Sequence, residues 1–112
     1  MSKIDVQTAI LAHMGWKSKL IDHFHGLKTL SRADVPTHKE CKFGQWFYGG
    51  GKNEFGNTSL INEIEREHKQ IHDSIIAIVD TPQAQLKKER VDEFRNQCDL
   101  LVKKMEELEK LC

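Results

Sequence analysis

The sequence lacks an excess of charge of either sign, since 17 basic residues balance 17 acidic ones. It also lacks an apolar run long enough to span a bilayer, and its first residues do not form the apolar core of a secretory leader. A balanced chain offers no electrostatic footprint for nucleic acid or for an anionic membrane surface. We therefore expect a cytoplasmic protein with no nucleic-acid partner and no membrane insertion.

Cysteine and proline are also scarce. The three cysteines lie far apart, at positions 41, 98 and 112, which excludes a disulfide framework and suits a reducing compartment. Only Pro36 and Pro82 interrupt the chain, and most glycines fall between residues 44 and 56. A length of 112 residues fits one domain, residues 1–112, and leaves no room for a separate catalytic domain.

The absence of strictly alternating, β-branched runs predicts an all-helical protein. We predict helices over residues 3–30, from about 38 to 49, from 58 or 59 to 79, and from Pro82 to the C-terminus. The first is expected to open on a capping box of Ser2 and Asp5, the second on Thr37 and Glu40, and the fourth on Thr81. Three long amphipathic helices and one short helix predict an antiparallel four-helix bundle.

Each long helix carries an apolar stripe with steps of three and four residues, as expected for bundle helices. The stripe of the fourth helix includes Cys98 and Cys112, which we therefore interpret as packing residues. The three stripes are Val6, Ala9, Ile10, His13, Trp16, Leu20, Phe24, Leu27; Ile61, Ile64, His68, Ile71, Ile75, Ile78; and Val91, Phe94, Cys98, Leu101, Met105, Leu108, Cys112.

Histidine interrupts two of these stripes. His68 and His72 are four residues apart, which places both rings on one helix face, roughly 6 Å apart at Cβ, where two imidazoles can bind one metal. A single core histidine with a satisfied hydrogen bond is the alternative for either His13 or His68. Burying three imidazoles is costly unless each has a partner, and a shared metal would satisfy all three. Cys41 is either a fourth ligand, which would complete a tetrahedral zinc shell, or a small buried hydrophobe.

Three motifs occur in order on the predicted helices. They are His13-Met-Gly-Trp16, Cys41-Lys-Phe43-Gly44-Gln-Trp46 and His68-Lys-Gln-Ile-His72. In these motifs the sequence resembles the chemoreceptor zinc-binding (CZB) domain family, and the resemblance covers nearly the whole chain.

The resemblance implies that His13, Cys41, His68 and His72 bind one zinc ion per chain. It also implies a helical bundle, often dimeric, of the kind fused to chemoreceptors or diguanylate cyclases in chemotaxis and cyclic-di-GMP signalling. No output domain is predicted within these 112 residues, so we expect either a free-standing protein of the family or a domain excised from a longer one. We therefore expect a sensory or regulatory domain and not an enzyme, with Cys41 as the redox switch and zinc or an oxidant as the stimulus.

Other residues near the motifs have secondary roles. His38 is the best rival ligand, and His23 and His25 are expected to face solvent. Trp46 and the neighbouring aromatic residues are interpreted as core. The candidates for a layer of residues that support the ligands are Trp16, Gly44, Trp46, Glu67 and Asp73, of which the two carboxylates could orient a zinc-bound imidazole.

Three alternative functions stay open. A hemerythrin-like iron and oxygen carrier would need carboxylate ligands from all four helices, and the predicted fourth helix offers none on its stripe. A zinc hydrolase would need three ligands and a bound water, which His13, His68 and His72 supply only if Cys41 stays unbound. A purely structural zinc site in an interaction domain would differ from a sensor only in its behaviour.

Overall fold

The computed structural model describes the backbone of residues 3–56 and 58–111, and the side chains from residue 5 onward. The regular elements of these residues are helical, which confirms an all-helical fold. The predicted roles of Ser2 and Cys112 lie outside the described residues. The α-helices are α1 (Lys3–Phe24), α2 (Lys42–Trp46), α3 (Lys52–Phe55), α4 (Ser59–Asp80) and α5 (Lys88–Glu109).

The core lies between the three helices of 22 residues each, α1, α4 and α5. The predicted stripes of α4 and α5 are buried at each described position, because steps of three and four keep one helix face towards its neighbours. Polar contacts cross the helix boundaries as well. The pairs are Gln7 with Glu109, Lys17 with Asp99, Glu63 with Lys104, and Ser74 with Gln97.

The first helix ends six residues earlier than predicted, at Phe24. Gly26 takes a positive φ of 74°, and two hydrogen bonds close the end of the helix: Gly26 N–H donates to the His23 carbonyl and Leu27 N–H to the Asp22 carbonyl. This is a Schellman motif, which stops a helix at a glycine. Leu27, predicted to be in the core, is 77% exposed as a result.

The early end of α1 also explains why His23 is buried, contrary to the prediction that it faces solvent. The chain turns back after Gly26, and the Leu30 N–H donates to His23 Nδ1 at 3.2 Å. His25, two residues further on, is exposed as predicted. The apolar stripe alone could not indicate this return of the chain over His23.

The second helix begins later than predicted. Thr37 and Glu40 do form reciprocal hydrogen bonds, but these close a turn, and α2 starts at Lys42 with Cys41 as its N-cap. The segment Phe47–Gly51 after α2 is a π-type turn that Gly50, at φ 133°, interrupts. Helical structure then resumes as α3, in a segment that lies outside the predicted helices. Gly50 therefore bends the segment and does not end its helical structure.

The start of the last helix was predicted wrongly. The Thr81 hydroxyl donates to the Ala77 carbonyl at 2.7 Å, so that Thr81 closes the end of α4 and does not open a new helix. Pro82 has an extended ψ of 135°, and a short 3₁₀ turn, Gln83–Gln85, precedes α5. A Thr-Pro pair fits the end of one helix as well as the start of the next, because proline is common just after a helix.

Candidate metal centre

The structure brings four predicted ligand residues together at one point of the core. His13 comes from α1, Cys41 from the N-cap of α2, and His68 and His72 from successive turns of α4. One donor atom of each residue lies within 4.8 Å of the donor atoms of the other three. The His68 and His72 ring centroids are 4.6 Å apart, which is the consequence of their spacing on the helix.

Backbone carbonyls fix the orientation of two of the imidazoles. His13 Nδ1 donates to the Ala9 carbonyl at 2.7 Å, and His72 Nδ1 donates to the Pro36 carbonyl at 2.8 Å. A carbonyl oxygen only accepts, so each Nδ1 carries the hydrogen and each Nε2 keeps a free lone pair. This is the arrangement that metal-binding histidines adopt in proteins.

His72 Nε2 gives a second indication that a group is to be bound here. This atom is buried and has no hydrogen-bond partner among the described residues. An unpaired buried polar atom costs about 1–3 kcal/mol, which a bound cation would recover. The donor set thus calls for an electron-pair acceptor at the point where the four side chains meet.

Cys41 is held by the first turn of the helix that it caps. Gly44 N–H donates to Cys41 Sγ at 3.3 Å, and Sγ lies 3.3 Å from His68 Nε2. An N-cap position directs the side chain back across the helix terminus, where backbone N–H groups stabilise negative charge. The local structure therefore directs the sulfur towards the imidazoles and provides an N–H group that would stabilise a thiolate there.

Burial keeps the imidazoles neutral. The pKa of His68 is lowered to about 2 and that of His72 to about 4, chiefly by desolvation, and the neighbouring histidines contribute in the same direction. The pKa of His13 is also lowered, again chiefly by burial. Neutral imidazole is the form that binds a metal, so the ligands need not lose a proton at neutral pH.

The Cys41 thiol is affected in the opposite sense, because burial raises its pKa above the ordinary range. The N–H groups of Gly44 and Phe43 lower the pKa of the thiol, but by less than burial raises it. A dication among the three imidazoles would reverse this balance, since a coordinating thiol is deprotonated outright. Three neutral nitrogens and one thiolate fit zinc, which favours four nitrogen and sulfur ligands.

Two of the predicted supporting residues lie close to Cys41. A Cβ on Gly44 would lie 2.8 Å from the His38 carbonyl carbon, so only glycine allows this close approach of the two backbone segments. Trp46 packs its ring against Phe43 and Phe55, which holds α2 against α3. Their contribution to metal binding stays a prediction.

The other three predicted supporting residues lie at the edges of the site. Trp16 is half-buried at the edge of the core and carries Lys19 over its ring. Glu67 is buried, with one carboxylate oxygen that has no hydrogen-bond partner, and Asp73 is exposed beside His72. The described hydrogen bonds do not link Glu67 or Asp73 to a ligand imidazole; carbonyls of Ala9 and Pro36 act in their place.

The sequence did not lead us to predict that these two carbonyls would accept hydrogen bonds from the imidazoles. Ala9 precedes His13 by one helical turn, so the spacing alone could have indicated this contact. Pro36 is 36 residues from His72 and follows an irregular connector, and no sequence signal indicates that contact. The orientation of His72 is therefore a property of the tertiary fold.

A groove of about 690 Å³ leads to the site between α1 and α2. Trp16, Phe43 and Trp46 form much of its apolar lining, and it reaches His13, Cys41 and His72. Cys41 is half-buried and is one of the residues that line this groove. The other cysteine that the structure describes, Cys98, is buried in the core.

The helical fold, the donor set of three histidines and one cysteine, and the neutral state of the imidazoles are together typical of a helical domain that binds zinc. The sequence model of the chemoreceptor zinc-binding domain matches residues 13–79, which is more than half of the chain and contains all four predicted ligand residues. The chain belongs to this family. No curated protein and no solved structure matches it significantly. Among the described residues, no helix has the length and apolar character to cross a bilayer.

Proposed function

We propose that residues 1–112 form a single sensory or regulatory domain that binds one zinc ion through His13, Cys41, His68 and His72. The convergence of their four donor atoms within 4.8 Å carries this proposal. The two Nδ1–carbonyl hydrogen bonds support it, because they leave both Nε2 atoms free to bind. Zinc bound there would hold Cys41 as a thiolate and tie α1, α2 and α4 together.

We further infer an antiparallel bundle of three long helices and one short helical segment. The pairing of Gln7 with Glu109 and of Lys17 with Asp99 supports this for α1 and α5, because residue numbers rise on one helix as they fall on the other. The contacts of Glu63 and Ser74 with α5 support it for α4 in the same way.

Four protein ligands argue against catalysis. A closed zinc shell leaves no position for a bound water, which a hydrolase requires. A hemerythrin-like iron site would take ligands from every helix, whereas the buried stripe of α5 is apolar apart from Cys98. A sensory or structural role therefore fits the donor set better than an enzymatic one.

The sensory version depends on the reactivity of Cys41. The thiolate sulfur would attack a peroxide or hypochlorous acid that enters the groove. With a peroxide, a sulfur–oxygen bond would form as the oxygen–oxygen bond breaks and hydroxide leaves. With hypochlorous acid, the oxygen–chlorine bond would break and chloride would leave. Cys41 becomes a sulfenic acid and binds zinc less strongly. Since Cys41 is also the N-cap of α2, the same event would release the start of that helix.

The output follows from family membership and not from the site. We propose that α2 movement is passed to a chemoreceptor or a diguanylate cyclase, as a fused domain or a separate partner, with a role in chemotaxis or cyclic-di-GMP signalling. A homodimer and a cytoplasmic location are parts of the same proposal. A purely structural zinc site is the second candidate, which the half-buried position of Cys41 on the groove disfavours.

Elemental analysis tests the metal site directly. We expect one zinc per wild-type chain, and weaker binding in Cys41→Ser, because a serine hydroxyl stays protonated and is a poor zinc ligand. Chelator competition would measure the difference, with Cys98→Ser as the matched control that keeps wild-type affinity. Two irons per chain, or wild-type affinity in Cys41→Ser, would overturn the assignment.

Oxidant treatment separates the sensory role from the structural one. Peroxide or hypochlorous acid at one equivalent should modify Cys41 before Cys98, since Cys98 is buried and its pKa is raised to about 12. Mass spectrometry of the modified thiols and hydrogen exchange of α2 provide the readout. Unmodified Cys41, or modification without increased exchange in α2, would leave only the structural version.

A further inference from the structure

We propose that His38 is a reserve ligand, which takes the place of Cys41 when the sulfur is oxidised or removed, so that the domain keeps its metal while it changes its ligand set. The inference rests on the proposed zinc site. It adds a fifth residue to that site and predicts that the stimulus exchanges a ligand and does not release zinc.

The position of His38 provides the first support. It lies in the turn before Cys41, and its ring centroid is 6.3 Å from that of His68. The corresponding distance from the proposed ligand His13 to His68 is 5.0 Å. His38 is therefore the next imidazole outside the ligand set, on the side of the site from which Cys41 enters.

The freedom of the His38 ring provides the second support. The side chain is half-buried with its ring edge against Tyr48, at 5.8 Å between centroids. No hydrogen bond to either ring nitrogen is found among the described residues, so a rotation about its two side-chain bonds would break none. His13 and His72, by contrast, are each held at Nδ1 by a carbonyl.

The backbone beneath the ring is fixed close to the site. The His38 carbonyl lies against Gly44, and Cys41 Sγ is 3.7 Å from the same carbonyl oxygen. The turn is closed by the reciprocal hydrogen bonds of Thr37 and Glu40. The exchange that we propose is therefore a rotation of the His38 side chain above a turn whose backbone already lies beside Cys41.

Other donors nearby are less suited to the exchange. The Glu40 carboxylate accepts the Thr37 N–H, and binding zinc would cost that contact. Asp73 follows His72 on α4 and is exposed, so that it lies around the helix from the site. His38 is the candidate whose ring already contacts the ligand cluster.

The exchange itself is a simple substitution of donors. A neutral His38 ring nitrogen would offer its lone pair to zinc at the position that the Cys41 sulfur gives up, and the hydrogen would stay on the other ring nitrogen. A fourth nitrogen ligand would close the position that water would otherwise take. The charge of the ligand set changes by one, since a thiolate is replaced by a neutral ring.

The test compares zinc and cobalt binding in Cys41→Ala with binding in the Cys41→Ala/His38→Ala double variant. We expect Cys41→Ala to lose the sulfur-to-cobalt charge-transfer band and to keep the intense visible bands of a four-coordinate ion. The double variant should bind at least about tenfold more weakly than the single variant. X-ray absorption should count four histidines in Cys41→Ala and three in the double variant.

Matched controls separate this proposal from the zinc site itself. His38→Ala alone should keep wild-type affinity, and His25→Ala, which removes an exposed histidine, should have no effect in the Cys41→Ala background. Oxidised wild-type protein gives the same comparison with His38→Ala if Cys41→Ala does not fold. Equal affinities of the single and double variants would overturn the reserve-ligand proposal, whereas a wild type without zinc would overturn the proposed function.

Discussion

Replacement of Gly44 by alanine should destabilise the zinc-loaded protein by about 3 kcal/mol, the upper end of the usual cost of overpacking. The new methyl group would overlap the His38 carbonyl oxygen and lie 3.1 Å from Lys39 Cα. These are backbone atoms, so a side-chain rotation cannot relieve the clash. Because Gly44 N–H also holds Cys41 Sγ, zinc affinity should fall as well.

Gly49→Ala is the matched control for this variant. A Cβ at Gly49 has no neighbour within 4 Å, and its φ is not positive. We expect the free energy of unfolding of Gly49→Ala to differ from that of the wild type by less than about 1 kcal/mol. Any difference should be an increase, since alanine reduces the entropy of the unfolded chain. Chemical denaturation and chelator competition measure both effects. Identical behaviour of the two variants would refute a tight approach at Gly44.

Removal of zinc is expected to have the largest effect of all. Zinc that binds only the folded state stabilises it by roughly 4 kcal/mol at a free concentration 1,000 times its dissociation constant. For a domain of this size that corresponds to a fall of roughly 15–30 °C in Tm when a chelator removes the metal. Calorimetry with and without a chelator gives the value.

The loss of order should be uneven. Backbone contacts of α2 and α3 lie mostly within their own segment, whereas α1, α4 and α5 pack along their lengths. Hydrogen exchange should therefore rise most in residues 37–56 of the zinc-free protein and least in the buried centre of α5. Uniform exchange, or an unchanged Tm, would mean that the metal does not tie this segment to the long helices.

The long helices could be predicted because their burial pattern follows from backbone geometry alone. Every described stripe residue of α4 and α5 is buried, and Thr58 caps α4 through the Ile61 N–H as its sequence indicates. The ends of α1 and α5 could not be predicted in the same way. Gly26 and Thr81 each fit two local structures, and tertiary packing decides between them.

The clustering of the four candidate ligands could be predicted, but its geometry could not. The three motifs and their resemblance to the CZB family indicated His13, Cys41, His68 and His72, and the fold brings these residues together. The hydrogen bond of His72 to Pro36, the approach of Gly44 to His38 and the burial of His23 all depend on irregular connectors. Such connectors have no periodicity, so their course cannot be read from the sequence.

The hydrogen bond between His72 and Pro36 has a mechanical consequence. It joins a proposed metal ligand to the connector that precedes α2, at a residue whose own φ is fixed by its ring. A change in the orientation of the imidazole would therefore either break this hydrogen bond or have to be accommodated by the connector.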